Sequence, residues 1–130
     1  MKIAIIAFVL CFIVLVNAET RVQQCKQAKG DGYRQTIKVG NCRKPTCKLK
    51  KNSVVKGEFR FVPDRDAKTL TNAVNAHIAG IPFPFIGVDE TDACDQIYNP
   101  DGETKHGCPL KAGEEYVYKN QFEVLALYPR

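Results

Sequence analysis

The sequence predicts an all-β fold, a small sandwich of antiparallel strands. Three observations predict it: apolar residues recur at a period of two, turn signals separate the alternating runs, and cysteines flank short loops. In Val55-Lys56-Gly57-Glu58-Phe59-Arg60-Phe61 the odd positions are apolar or Gly and the even ones are charged. Side chains of a strand alternate between its faces, so this is a strand with one face buried. Tyr33 to Val39 alternates more loosely. Between Ala73 and Ala79, Val74, Ala76 and Ile78 form one stripe, with Asn75 and His77 on the other side. That stretch is Ala-rich, but its two-residue stripe and the following Gly-Ile-Pro favour strand over helix. Tyr116-Val117-Tyr118 and Phe122-Glu123-Val124 continue the pattern. Gly30-Asp31-Gly32, Pro63-Asp64, Asn99-Pro100-Asp101-Gly102 and Ala112-Gly113 are the turns between the runs. The inward faces so defined carry Val55, Phe59, Phe61, Val74, Ala76, Ile78, Tyr116 and Tyr118.

The first residues set the domain boundary. Met1-Lys2 is a short positive region, Ile3 to Val16 is almost wholly apolar, and Val16-Asn17-Ala18 puts small residues where a signal peptidase reads. Residues 1–18 are read as a secretory signal. A membrane anchor fits less well, because the run falls short of the ~20 apolar residues a spanning helix needs and polar Glu19-Thr20-Arg21 follows at once. The mature domain is then 19–130, long enough for one core. Removing Lys2 from the 19 Lys and Arg leaves 18 against 14 Asp and Glu, a net +4. That balance favours anionic surfaces mildly, and secretion makes nucleic acid an unsuitable partner.

Thiols pair in an oxidising compartment. Cys11 leaves with the signal, and Cys25, Cys42, Cys47, Cys94 and Cys108 remain. Cys42 and Cys47 flank the turn-like Arg43-Lys44-Pro45-Thr46. Cys94 and Cys108 flank a polar stretch bracketed by apolar segments. These two disulfides leave Cys25 unpaired, as a free thiol, in an intermolecular bridge, or with a partner beyond Arg130. Zinc suits none of these cysteines, because no C-x2-C pair occurs and the two His are far apart.

Gly80-Ile81-Pro82-Phe83-Pro84-Phe85-Ile86-Gly87-Val88 is the oddest stretch. Each proline lacks an N–H donor, so the segment cannot be a central strand. It reads either as a core-packed edge or as a stiff apolar lip whose Phe83 and Phe85 contact an apolar guest. Catalysis finds no footing. Ser53 is the only serine, in a Lys-rich turn unlike a nucleophile elbow. His77 and His106 fit a polar strand face and a loop. The acids Asp89, Glu90, Asp92, Asp95, Asp101 and Glu103 lack calcium-loop spacing and read as a solvated loop. No metal and no cofactor is expected. The basic run Arg43, Lys44, Lys48, Lys50, Lys51 and Lys56 reads as a solvated face, with docking to an anionic membrane as the alternative. No Asn-x-Ser/Thr sequon is present.

Cys42-(x4)-Cys47, Phe59-Arg60-Phe61, Gly80-Ile81-Pro82-Phe83-Pro84-Phe85, Gly107-Cys108-Pro109-Leu110-Lys111-Ala112-Gly113 and Tyr116-Val117-Tyr118-Lys119-Asn120, in that order, resemble the Niemann-Pick type C2 proteins. Those belong to the MD-2-related lipid-recognition family, and the likeness is to arthropod members. The resemblance covers nearly all of 19–130. It implies an immunoglobulin-like β-sandwich with an apolar cavity between its sheets for a sterol or fatty acid. It also implies that Phe85 lines the pocket, together with Val124 and Tyr128 on the next strand, where they share a parity with Phe122 and Ala126. With the inward stripes and the Pro-Phe lip, the expected ligand-binding set is Phe59, Phe61, Val74, Ile78, Phe83, Phe85, Tyr116, Tyr118, Phe122, Val124 and Tyr128. Three departures stand out. The loop from Asp95 to Gly107 is longer and more acidic than the family's. Ile86 stands where members often have a further Pro. Members also continue past the Tyr-Pro dipeptide with two more strands, one carrying the cysteine that pairs with the first. Since this chain stops at Arg130, the domain is expected to lack those strands, leaving Cys25 unpaired and a sheet edge open.

The function expected is a secreted, monomeric, non-enzymatic carrier that binds a sterol, a fatty acid or a similar apolar molecule. It would pass that cargo to a membrane or to a lipid-accepting membrane protein. The lysosomal lumen is the alternative destination. The competing function is an innate-immune protein that binds microbial lipids and acts through a receptor. It calls for Lys48, Lys50 and Lys51 around the opening.

Overall fold

The computed structural model describes residues 19–23, 36–44 and 46–130. The signal segment 1–18, Cys25 and the first three residues of the Tyr33–Val39 run therefore lie outside the described residues. Among the described residues six strands form two antiparallel sheets: β1 (Thr36–Val39), β2 (Ser53–Phe61), β3 (Asn75–Ile78), β4 (Ile81–Pro84), β5 (Ile97–Tyr98) and β6 (Tyr116–Val124). The larger sheet has the order β1-β2-β6-β5, and β3 and β4 pair as the smaller one. The helical content among the described residues is a 3-10 turn, Cys94–Gln96. The all-β sandwich is thus the observed fold.

The two short alternating runs read around Tyr116–Tyr118 and Phe122–Val124 are one nine-residue strand, β6, because Lys119-Asn120-Gln121 continues the ladder to β2. On β1, Thr20 takes part of the free edge. Its N–H donates to Ile37 O at 2.7 Å, and its hydroxyl accepts the Val39 N–H at 2.9 Å and donates to Cys42 O at 2.6 Å.

The Pro-rich segment forms β4, whose four residues are all exposed, so it is not a core-packed edge. The Phe85 N–H donates to Val74 O at 2.9 Å. Amides of that parity face β3, and the nitrogens of Pro82 and Pro84, of opposite parity, face away from it. A strand with one neighbour accepts proline on its free side, because no ladder bond is lost there.

The core sits at the β5 end. Ile97, Leu110 and Tyr116 are buried together, with Phe61, Ala67, Leu70 and Tyr118 packed against them. The Cys94–Cys108 disulfide, Cα atoms 5.2 Å apart, closes the loop that carries Ile97 into this core. Cys42–Cys47 closes the small exposed loop after β1. The acidic residues build turns. Asp89 and Asp92 accept the N–H groups of Val74 and Cys94. Asp101 accepts the Thr104 hydroxyl at 2.6 Å and the N–H groups of Glu103 and Thr104 at 2.9 Å. The hydroxyl first, then these amides, lower its pKa from 3.8 to about 2. Hydrogen bonds to the charged form favour that form.

Candidate functional site

The register of the larger sheet builds one apolar wall. Across β2 and β6 the pairs are Val55 with Phe122, Gly57 with Asn120, Phe59 with Tyr118 and Phe61 with Tyr116. Across β1 and β2, Ile37 pairs with Phe59 and Val39 with Gly57. Residues directly opposite share a face, so all of these side chains point to the same side. Gly57 interrupts the row. It has no side chain to place between Val39 and Asn120, and a gap opens there.

Over that gap lie Val74, Phe85 and Val88, from the segments around β3 and β4. They close a partly open cavity of about 180 Å³ with Ile37, Val39, Gly57, Phe59, Tyr118, Asn120 and Phe122. Lys38 and Glu58 complete its rim. The Phe85 ring meets Phe122 edge-on at 5.0 Å and Tyr128 at 5.1 Å, while Phe59 stacks on Tyr118 at 4.6 Å. Such contacts fix the wall, each worth ~0.5–1.5 kcal/mol beyond the area it buries.

The size of the cavity decides what fits. An apolar protein cavity of ~150 Å³ holds one benzene, whereas sites that enclose a drug-sized ligand span ~300–1,000 Å³. At about 180 Å³ this one takes a chain end or a single ring.

The lining is almost wholly apolar, and a chain of hydrogen bonds runs behind it. Asn120 Nδ2 donates to the Tyr118 hydroxyl at 2.9 Å, and that hydroxyl donates to Asn72 Oδ1 at 2.6 Å. Buried Asn72 passes the chain on, its Nδ2 donating to Thr91 Oγ1 at 3.0 Å. Burial pushes the Tyr118 phenol's pKa up, so the hydroxyl stays a neutral donor.

Of the expected ligand-binding set, Phe59, Val74, Phe85, Tyr118 and Phe122 come together on the cavity wall. The others do not. Phe61 and Tyr116 belong to the core cluster at the β5 end, where the buried Tyr116 hydroxyl accepts the Lys111 N–H at 3.0 Å and donates to Glu114 at 2.9 Å. Val124 is buried at the far end of β6, and Ile78 is half-buried outside the cavity. Phe83 shares the face of Phe85 but is 46% exposed, forming an apolar lip with Ile81 and Ile86. Tyr128 is not on a strand. β6 ends at Val124, and the Tyr128 N–H closes a turn onto Leu125 O at 3.1 Å. The turn, not strand parity, brings its ring behind Phe85. Ala126 is correspondingly exposed.

Sequence patterning passed over Ile37, Val39, Gly57, Val88 and Asn120. Ile37 and Val39 were visible as the inward positions of a loose alternation. The role of Gly57 and Asn120 follows only from their pairing.

The basic cluster is a separate feature. Lys38, Arg43, Lys44, Lys48, Lys50 and Lys56 line a broad open groove of about 1030 Å³, with Glu58 its one acid among the described residues. None of these six cations is ion-paired among the described residues. The groove meets the cavity at Lys38, Val39 and Glu58. Lys51 lies outside both, its ammonium donating to Ala126 O at 2.9 Å. Among the described residues no three His, Cys, Asp or Glu side chains converge to hold a metal ion. His106 packs edge-on against Tyr116 at 4.8 Å, and His77 is an exposed β3 residue. A protein-family model described as the ML domain matches residues 19–130.

Proposed function

Since the chain belongs to the ML domain family, a lipid-binding family of immunoglobulin-like β-sandwiches, we propose that it is a secreted carrier that holds one end of an apolar molecule in the Gly57 cavity. The observation that carries this reading is the cavity itself: a gap in the inner face of the larger sheet, roofed by Phe85, where a packed core would have a side chain. Its size fits a lipid chain end or a terminal ring better than a whole sterol. Burial of apolar surface, at ~25 cal/mol per Å², supplies the affinity. Domains of this family are in general non-enzymatic, and the carrier reading asks for no chemistry.

The basic groove supports delivery at an anionic membrane surface, where each Lys or Arg adds about 1 kcal/mol of attraction. We expect sedimentation with phosphatidylserine vesicles, reduced by raised salt and by Lys48→Glu with Lys50→Glu. Equal sedimentation with neutral vesicles would remove the groove from the account. The immune-recognition reading gains no support, because Lys48 and Lys50 line the groove and not the cavity, and Lys51 lines neither.

Titration with a fluorescent fatty acid and with dehydroergosterol tests the carrier reading. Saturable binding of the fatty acid is expected, with weaker binding of the sterol. Phe85→Asp is expected to abolish both, because an unpaired carboxylate would enter the apolar wall. No saturable binding of either probe would end the carrier reading.

A further inference from the structure

We infer that the hydrogen bond from the Tyr118 hydroxyl to Asn72 makes the cavity a size filter. It pins the roof to the larger sheet, so that a slender chain end enters with the bond intact and a fused-ring ligand has to break it. The inference deepens the carrier reading above and rests on it.

The roof is the segment from Asn72 to Thr91, which carries β3, β4 and the cavity residues Val74, Phe85 and Val88. Asn72 ties the two ends of that segment together. Its N–H donates to Thr91 O at 2.8 Å, its carbonyl accepts the Glu90 N–H at 2.7 Å, and its Nδ2 donates to Thr91 Oγ1 at 3.0 Å. The Thr91 hydroxyl in turn donates to the carbonyl of Val88, a cavity residue. Among the described residues, one hydrogen bond joins this unit to the larger sheet, Tyr118 to Asn72 Oδ1 at 2.6 Å. The aromatic contact across the gap, Phe85 on Phe122, is apolar. Apolar contact is non-directional and tolerates small shifts of one sheet over the other. An O–H···O pair does not, and beyond roughly 3.5 Å it is no longer a hydrogen bond.

That difference sorts ligands by width. A ligand that fits the present spacing leaves the bond in place. One too wide for the cavity of about 180 Å³ has to lift the roof. Asn72 is buried, so its freed Oδ1 is left without a donor, and the affinity of the wide ligand falls accordingly. In Tyr118→Phe the ring still lines the cavity and stacks on Phe59, but Oδ1 lacks its donor whether or not a ligand is bound. The penalty on the wide ligand is gone, and the slender one gains nothing. The bond from Asn120 to the same hydroxyl lies within β6, so its loss affects both ligands equally. Tyr118 and Asn72 are thus positioning residues, acting through the spacing of the sheets.

The test is titration of the mature chain, unmodified and Tyr118→Phe, with cis-parinaric acid as the slender ligand and dehydroergosterol as the wide one. The readout is the ratio of the two affinities, which a general loss of stability does not move. The variant is expected to bind the sterol about fivefold more tightly, the worth of one hydrogen bond, and the fatty acid unchanged. Asn72→Ser keeps the backbone bonds to Glu90 and Thr91 and withdraws Oδ1, and gives the same shift if the phenylalanine variant does not fold. An unchanged ratio would mark the bond as merely structural and overturn the inference, and so would a sterol that binds neither form. If the unmodified chain binds neither probe saturably, the carrier reading itself fails and the inference with it.

Discussion

Gly57→Leu is expected to weaken binding of an apolar ligand by roughly 70-fold while the domain stays folded. Gly57 is the gap on which the cavity depends, flanked on the inner face by Val39 and Asn120. Its backbone accepts a side chain. A Cβ placed there meets one atom within contact range, the Asn120 carbonyl oxygen, at 4.0 Å. A leucine then occupies the space a ligand would use. A guest that gives up on the order of 100 Å² of apolar surface gains about 2.5 kcal/mol, and losing that gives the roughly 70-fold effect. Stability should rise by up to about 1 kcal/mol, because a glycine within a strand carries excess backbone entropy in the unfolded chain. The combination is diagnostic. Affinity that falls while the melting temperature rises identifies a space kept open for a ligand. Unchanged affinity would mean that the ligand binds elsewhere.

The second large effect concerns the scaffold. Replacing both Cys94 and Cys108 by Ser is expected to remove about 3 kcal/mol of stability, the loop-closure entropy of a ring of this length. Against a total of ~5–15 kcal/mol that is a large share, and Tm should fall on the order of 15 °C. The ring encloses Ile97, which is 1% exposed and part of the core cluster, so the loop and the core loosen together. Replacing Cys42 and Cys47 should remove less, about 2 kcal/mol, because its ring is shorter and its loop is exposed. Thermal unfolding followed by circular dichroism ranks the two. An equal or larger loss from the Cys42–Cys47 pair would contradict the placement of the core at the β5 end.

The fold was legible in the sequence where one strand face is buried and the other is wet. Val55 to Phe61 shows its period directly, and the inward positions Phe59, Tyr118 and Phe122 follow from it. Legibility stopped where pairing decides. Gly57 fits the alternation as a small residue, and its meaning as a gap appears only when β6 sets Asn120 opposite it. Asn120 itself reads as a polar interruption of a strand, because nothing local says that its face is inward. Ile97 lies in a polar, acidic stretch and reaches the core through the Cys94–Cys108 ring, which is a tertiary event. The Pro-Phe segment was recognisable as an edge, yet sequence alone did not separate Phe85, under cover, from Phe83, outside it. Tyr128 reached its place through a turn that strand parity does not describe.

The central claim is that a lipid end sits at Gly57, between the two sheets. Crystals grown with a fatty acid brominated at its methyl end would locate that end by anomalous scattering. The account predicts one bromine peak among Gly57, Phe85 and Phe122. A peak in the groove lined by Lys48 and Lys50, or at the exposed lip of Ile81 and Phe83, would contradict it.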